Sequence, residues 1–152
     1  MRQRSAGTHR RDKINWLRGC LDQPEQGGGP IAQESLTRDV AHRYVDAWTH
    51  GDRDGVREVV SPDASVEWNI GLPADVSTLV DTLAEIARVA ESVRVIAETY
   101  ADERAAVIYD CVAADGTVRA AEFLAVVEGR IQEIRQTYDV MALRRLLPDL
   151  PD

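Results

Sequence analysis

A chain of 152 residues, 44% hydrophobic and 29% charged, is long enough for one domain and has an ordinary globular composition. It contains no run of 18 apolar residues, so we expect no transmembrane helix and no membrane partner. The formal net charge of −8 argues against nucleic-acid binding, because an acidic surface repels phosphate backbones.

The first 33 residues differ from the rest of the chain. They hold six Lys/Arg and three Asp/Glu, a net charge of about +3, which leaves about −11 for the remainder. Residues 23–30 include three consecutive glycines and two prolines, a composition typical of flexible segments. We therefore predict a flexible N-terminal extension over 1–33 and one domain over 34–152. The alternative is that Trp16 and Leu17 dock on the domain.

The two cysteines indicate the compartment. Cys20 lies in the polar extension and Cys111 in an apolar strand, so a disulfide between them is not expected. With no apolar segment typical of a secretory signal near the N-terminus, we predict free thiols in a reducing cytoplasm. The basic residues are 17 arginines and one lysine, a bias that favours a GC-rich bacterial genome.

The first predicted element is a helix that begins at a Ser35 cap and ends at Gly51. Its apolar stripe recurs at helical spacing and consists of Leu36, Val40, Tyr44, Val45 and Trp48.

Two more helices are predicted before the sheet. A short one follows Asp52 or Asp54 and ends at Pro62, and a weak strand covers residues 64–70. Another helix, over residues 75–90, carries a continuous apolar stripe.

The apolar period then falls from about 3.6 to 2, which indicates strands. Four β-rich segments follow, at residues 93–100, 105–113, 117–127 and 130–139. The gaps between them are short, so neighbouring strands should form antiparallel hairpins. Helices collected on one face of an antiparallel sheet predict an α+β fold.

The second of these strands is apolar on both faces. One parity carries Ala106, Ile108 and Val112, and the other carries Val107, Tyr109 and Cys111. A sheet with a solvated face alternates apolar and polar residues instead. We therefore expect the helices to cover one face and a second copy of the chain to cover the other, which makes a homodimer.

Five stretches together resemble a known superfamily: residues 44–48, 51–52, 62–68, 128–131 and 134–139. Their order and spacing are similar to the SnoaL-like branch of the nuclear transport factor 2 (NTF2) superfamily, which includes polyketide cyclases, ketosteroid isomerases and limonene-epoxide hydrolases. The resemblance covers roughly residues 36–147. It implies a cone-shaped α+β fold, with three N-terminal helices packed on a curved antiparallel sheet around a small-molecule pocket.

The resemblance to ketosteroid isomerases assigns two hydrogen-bond donors. Tyr44 falls at their donor tyrosine, and Glu122 falls near their protonated carboxylic acid. An apolar setting such as that of Glu122 keeps a carboxyl neutral. The position of the isomerase base holds Trp68, which cannot accept a proton, although Glu67 is adjacent.

The resemblance to limonene-epoxide hydrolases assigns other residues. Asn69 and Asp139 match positions that hold and deprotonate the attacking water. The arginine of that enzyme falls at Asp110 here and its second aspartate at Val112, so its usual proton donor is missing. A carboxylic acid at Asp110 or Glu122 would replace it.

The acids call for explanation without any family. Asp110 and Glu122 each interrupt an apolar strand, and buried carboxylates are unfavourable unless paired or protonated. Two such acids with separated pKa values would supply one acid and one base. The alternative for either is a structural ion pair with Arg119 or Arg135. Asp139 is either a catalytic residue or the N-cap of a terminal helix over 140–147.

The aromatic candidates also have structural alternatives. Tyr44 is either a donor or a core tyrosine. Trp48 and Trp68 either line the pocket or pack in the core, and Glu67 is either a pocket residue or exposed to solvent.

These observations favour a cofactor-free acid/base enzyme. No metal-ligand spacing, phosphate loop, nicotinamide or flavin fingerprint is present, so we predict neither metal nor cofactor. The expected reaction is cyclisation, isomerisation or epoxide opening of a polyketide- or terpenoid-like molecule. Asp139 or Asp110 would take the proton, Glu122 and Tyr44 would donate, and Asn69 would orient water or substrate. The alternative is a non-catalytic ligand-binding or dimerisation module of the same fold.

Overall fold

A computed structural model describes residues 30–151, which form four helices and five strands. In chain order these are α1 (Pro30–Thr49), α2 (Arg53–Val59), β1 (Val60–Trp68), α3 (Val76–Val89), β2 (Ser92–Ala101), β3 (Arg104–Ala113), β4 (Gly116–Val127), β5 (Arg130–Tyr138) and α4 (Val140–Leu146). The fold class is α+β, as predicted. None of the helices between residues 30 and 151 combines the length and hydropathy that a membrane crossing requires.

Most of the predicted extension lies outside the described residues, and so do Cys20, Trp16 and Leu17. Residues 30–33 are helical, because α1 begins at Pro30 and not at the predicted Ser35 cap. Proline suits the first turn of a helix, where a backbone N–H has no partner within the helix.

The sheet is mixed, which corrects the prediction of a purely antiparallel one. Its strand order is β1-β5-β4-β3-β2. Strands β2 to β5 are joined by short turns and pair antiparallel, whereas β1 pairs parallel with β5. The hairpin rule does not apply to β1, because α3 and three further strands separate it from its neighbour.

Strand β1 begins four residues earlier than predicted and contains Pro62. A proline cannot donate a hydrogen bond to a sheet, so it is confined to edges and bulges. Both conditions hold here, since β1 is an edge strand and its register with β5 shifts between Val60 and Ser65.

The two faces of the sheet differ sharply. On the helix-facing side, Val107, Tyr109 and Cys111 of β3 are buried. On the outer face, Ile108 of β3 and Phe123 of β4 are exposed. Helix α3 contributes Leu79, Leu83 and Ile86 to the core, and burial of each such side chain is worth about 1.5–3 kcal/mol.

Asn69 connects the end of β1 to the end of β5. Its Nδ2 donates to the carbonyl oxygen of Tyr138 at 3.0 Å, and its Oδ1 accepts from the Tyr138 backbone N–H at 3.0 Å. The side-chain amide therefore acts like one more residue of the parallel ladder.

We predict that Asn69→Leu lowers the free energy of unfolding by about 1–3 kcal/mol, because two backbone groups of Tyr138 lose their partner. Urea denaturation followed by circular dichroism measures this. Thr137→Ala, a change at the exposed position one residue before Tyr138 in β5, is the matched control and should be nearly neutral. Equal stability of the two variants would contradict this role for Asn69.

Candidate functional site

A cluster of polar side chains is buried on the helix-facing side of the sheet. Its members come from α1, β3, β4 and β5 and are Tyr44, Tyr109, Glu122, Gln136 and Tyr138. We call this set the Glu122 cluster. The Glu122 carboxyl lies at its centre, with none of its surface exposed to solvent.

The two oxygens of the Glu122 carboxyl have different surroundings. Oε1 accepts hydrogen bonds from the Tyr109 hydroxyl at 3.0 Å, from the Tyr44 hydroxyl at 3.4 Å and from the Gln136 amide. Oε2 is buried and has no hydrogen-bond partner. Burial raises the pKa of Glu122 to about 7, although these three hydrogen bonds lower it in part. Because Oε1 already accepts three hydrogen bonds, the proton of the neutral acid belongs on Oε2.

The tyrosine hydroxyls of the cluster remain protonated. Burial, reinforced by the nearby Glu122 carboxyl, raises the pKa values of Tyr44, Tyr109 and Tyr138 well above 10. They are therefore fixed hydrogen-bond donors, and Glu122 is the member that titrates near neutral pH.

Trp48 adds a second unused polar group. Its ring lies 5.1 Å, centroid to centroid, from that of Tyr109. The Trp48 side chain is almost fully buried, and its indole N–H has no hydrogen-bond partner. Buried donors and acceptors are normally paired, so Trp48 Nε1 and Glu122 Oε2 are two exceptions beside the same ring.

A groove of about 390 Å³ lies between α1 and β2 and approaches this cluster. Its apolar lining consists of Val45, Val93, Val95 and Val107. Val107 is paired directly with Glu122 across β3 and β4, so one side chain separates the groove from the acid.

The rim of the groove is polar. His42 Nε2 lies 3.5 Å from Glu98 Oε2, and the His42 ring meets the Tyr100 ring edge-on at 5.7 Å. In the sheet register Glu98 is opposite Val107, and Val107 is opposite Glu122. The Cα atoms of Glu98 and Glu122 therefore lie about 10 Å apart, which is two strand spacings, in one row across the sheet.

Among the predicted catalytic residues, the structure brings Tyr44 and Glu122 into direct contact. It also places Trp48, a predicted substrate-binding residue, against the same cluster through Tyr109.

Asp110 lies on the opposite face, which corrects the prediction that it shares a cavity with Glu122. It has the parity of Ile108 and pairs in register with Arg119, whose Nε donates to Oδ1 at 2.8 Å and Nη2 to Oδ2 at 3.0 Å. Arg94 lies 3.8 Å away on the other side. The Arg119 hydrogen bonds lower the pKa of Asp110, so this carboxyl is a paired anion. The ion-pair alternative is the one that the geometry supports.

Asp139 and Asn69 are also used structurally. Asp139 is exposed and caps α4, its Oδ1 accepting from the Ala142 N–H at 3.0 Å. Asn69 uses both amide groups on the backbone of Tyr138. Neither residue contacts the Glu122 carboxyl, and the predicted three-acid cavity is therefore wrong.

Glu67 and Trp68 lie at the far end of β1. Glu67 is exposed on the outer face, 3.4 Å from Arg135 Nε. Trp68 donates its indole N–H to the carbonyl oxygen of Leu72 at 3.0 Å, which holds the turn after β1.

Sequence reasoning missed three members of the cluster: Tyr109, Gln136 and Tyr138. A signal for them existed, because Gln136 and Tyr138 share one parity of β5 and Tyr109 shares the parity of Cys111. Across residues 30–151, no group of three or more His, Cys, Asp or Glu side chains could hold a metal ion.

Comparison with solved structures identifies the fold. A protein assigned to the SnoaL-like polyketide cyclases from Jannaschia sp. CCS1 superposes with a TM-score of 0.61 at 17% identity, over 84% of this chain and 100% of its own. A steroid delta-isomerase from Pseudomonas aeruginosa gives 0.62 at 12% identity, over 76% and 90%. An NTF2-like protein from Cytophaga hutchinsonii gives 0.58 at 13% identity, over 70% and 93%.

No protein-family model matches the chain, and no curated protein matches it. At these identities the structural likeness establishes the NTF2-like fold and leaves the reaction open. The resemblance on which the fold prediction rested is confirmed at that level.

The raised pKa of Glu122 predicts a specific pH dependence of stability. Below its ordinary value of 4.5 both folded and unfolded states are protonated, and between 4.5 and about 7 only the unfolded state releases the proton. Stability should therefore fall as pH rises through this window, by up to about 3 kcal/mol, and level off above it. Glu122→Gln, which stays neutral, should lack this decline.

Urea denaturation at half-unit steps from pH 4.5 to 8 measures the difference. Glu133→Gln is the control: its hydrogen bond from Arg104 lowers the pKa of Glu133, so its contribution changes only at pH values below 4.5. Parallel curves for the wild type and Glu122→Gln would show that the carboxyl is not desolvated as described.

Proposed function

We propose that the chain binds a small, mostly apolar molecule through an acceptor oxygen, at the inner end of the groove between α1 and β2. The observation that carries the proposal is the pair of buried, unpartnered polar atoms, Glu122 Oε2 and Trp48 Nε1. Both are hydrogen-bond donors when Glu122 is protonated. The resemblance implies helices packed in a cone on a curved sheet, and such an arrangement would enclose this pocket.

The ligand class follows from the lining. The groove has four valines on its walls, and one of them, Val107, separates it from the buried Glu122 carboxyl, which suits an apolar body carrying a carbonyl or hydroxyl oxygen. A carboxylate ligand is disfavoured, because the Glu98 and Asp46 carboxylates stand at the rim. For a ligand in the groove to reach Glu122, the Val107 side chain must move aside, a motion on the nanosecond scale or slower.

We expect the bicyclic ketone 2-decalone to bind, and Trp48→Phe to weaken its binding about fivefold, the value of one lost hydrogen bond. Trp68→Phe is the matched control, because its indole N–H is used by Leu72 and its loss should lower stability without changing affinity. Isothermal titration calorimetry measures both constants.

The same proposal predicts that the affinity for the ligand depends on pH. Ionisation of Glu122 removes its donor, so affinity for 2-decalone should fall above pH 7 in the wild type and stay level in Glu122→Gln. Absence of saturable binding at any pH, or equal effects of the Trp48 and Trp68 changes, would contradict the pocket.

A proton-transfer enzyme is the second candidate, and the row formed by Glu98, Val107 and Glu122 favours it. His42, paired with Glu98, would take a proton from the carbon next to the ligand carbonyl. The C–H electron pair would form a carbon–carbon double bond to the carbonyl carbon, the π pair of the carbonyl would move to its oxygen, and Glu122 and Trp48 would donate hydrogen bonds to that oxygen. This arrangement separates base and acid by about the length of a small substrate. It replaces the roles predicted for Asp110 and Asp139.

Exchange of the α-hydrogens of 2-decalone in D₂O, followed by NMR, tests this candidate. We expect His42→Gln to slow the catalysed exchange about 100-fold with little change in affinity. His50→Gln is the control, because His50 lies at the end of α1 and bonds the carbonyl oxygen of Asp46. No exchange above the buffer rate would leave a ligand-binding domain and reject the enzyme.

A further inference from the structure

The Gln136 side-chain amide makes hydrogen bonds of opposite kinds at its two ends. Its Nε2 donates to Glu122 Oε1 and, at 3.4 Å, to the Tyr44 hydroxyl. Its Oε1 accepts from the Tyr138 hydroxyl at 3.1 Å. Gln136 and Tyr138 are both buried, so the amide bonds to protein neighbours rather than to water. An amide has two orientations related by a half turn, and this one directs its N–H groups at the acid.

The opposite orientation would change where Glu122 carries its proton. After a half turn, Gln136 Oε1 would face Glu122 Oε1 and would accept a hydrogen bond from the protonated carboxyl. The proton would then lie inside the cluster, and Glu122 Oε2 would be an acceptor without a donor. In the observed orientation the amide occupies Oε1 as a donor, which leaves the proton on Oε2, where a ligand can accept it.

The Tyr138 hydroxyl favours the observed orientation. A half turn of the amide would exchange the acceptor of this hydroxyl for an N–H group, and a buried hydroxyl that loses its acceptor is unfavourable. In the sheet register Gln136 is opposite Glu122, whereas Tyr138 is opposite Ala120. Tyr138 therefore reaches the acid through Gln136, from the next residue on the same side of β5.

We propose that Tyr138 is a positioning residue that acts through the Gln136 amide to keep the Glu122 proton on Oε2, available to a ligand. Its role differs from that of Tyr109, which donates directly to the carboxyl at 3.0 Å. Without the Tyr138 hydroxyl, the amide is free to turn and accept the proton itself. The availability to a ligand rests on the proposed function, whereas the effect on the carboxyl needs no ligand.

The other titratable groups that face Glu122 stay neutral over the pH range of the test. Burial raises the pKa of Cys111, in β3, to about 12. It also raises well above 10 the pKa values of the three tyrosines contributed by α1, β3 and β5: Tyr44, Tyr109 and Tyr138. On the opposite face, hydrogen bonds from Arg119 lower the pKa of Asp110. A buried carboxyl that titrates near neutral pH is therefore Glu122.

Carboxyl NMR of protein labelled with ¹³C at glutamate Cδ tests the proposal with Tyr138→Phe. In the wild type the pKa of Glu122 should be about 7. In the variant the turned amide stabilises the neutral acid and no longer donates to the carboxylate. We therefore expect the pKa to rise by about 1, a tenfold change in the dissociation constant. A merely loosened core would do the reverse, because water would move the pKa towards its ordinary 4.5.

Gln136→Met removes the amide and separates an indirect effect from a direct one. In that background Tyr138→Phe should leave the pKa of Glu122 unchanged, because the hydroxyl has no amide to hold. Tyr109→Phe is the contrasting control and should raise the pKa in both backgrounds, since its hydroxyl donates to Glu122 itself. Equal effects of Tyr138→Phe with and without the amide would overturn the proposal.

The wild type gives a direct measurement that does not depend on any variant folding. Nuclear Overhauser effects from the Gln136 side-chain N–H protons should be stronger to the Tyr44 ring than to the Tyr138 ring. The reverse pattern would overturn the proposal, and so would a Tyr138→Phe variant in which the pKa of Glu122 is unchanged or lower.

Binding of 2-decalone at about pH 5.5 connects this role to the ligand. Glu122 is protonated there in both proteins, so a change in its pKa does not by itself alter affinity. Tyr138→Phe should weaken binding about tenfold, because the proton is turned inwards. Unchanged affinity in a variant with a raised pKa would overturn the link to the ligand. If neither protein binds 2-decalone, the proposed function fails, and the NMR measurements alone decide the role of Tyr138.

Discussion

The desolvated carboxyl of Glu122 is the constraint on which the helix-facing side of the sheet depends. An ionised carboxylate in an apolar interior is strongly unfavourable, so its neighbours must either donate to it or let it remain neutral. Here Tyr109, Tyr44 and Gln136 donate to one oxygen, and burial favours the protonated form. Removing any one of these donors would leave Glu122 Oε1 with fewer hydrogen bonds while the remaining donors still surround it. The cluster therefore acts as a unit, because each hydrogen bond to Glu122 depends on the position that the others give the carboxyl.

The asymmetry of that carboxyl links structure to chemistry. All its protein hydrogen bonds converge on Oε1, so the acid is oriented before any ligand arrives. Preorganised donors are effective because they need no rearrangement when charge develops on a ligand oxygen. This arrangement destabilises the folded state, because Glu122 Oε2 and Trp48 Nε1 are buried without a hydrogen-bond partner. Local instability of this kind is common where a site is built for something outside the chain.

The sequence could predict the element order and the limits of β2 to β5 well, because the helical and strand periods are clear there, whereas β1 begins four residues before its predicted start. It could not predict which face Asp110 occupies. Both parities of β3 are apolar, so alternation does not distinguish them, and a shift of one residue exchanges the faces. The family resemblance pointed to Tyr44, and Glu122 also stood out as an acid inside an apolar strand. Tyr109 was missed because its only signal is its shared parity with Cys111, which a core tyrosine also has. The parallel pairing of β1 with β5 could not be predicted either, because no short turn joins these two strands.

The parallel pairing of β1 with β5 has a consequence for how the chain folds. The hydrogen bonds between Asn69 and Tyr138 at the end of this pairing join residues 69 positions apart in the sequence. Each hairpin of β2 to β5, in contrast, closes over a few residues. Long-range contacts form late, because the entropy of closing a large loop must be overcome before they stabilise anything. During synthesis β1 leaves the ribosome well before β5 exists to receive it. Until then its backbone edge is unpaired, and Pro62, which cannot donate to a foreign strand, limits premature association at that edge.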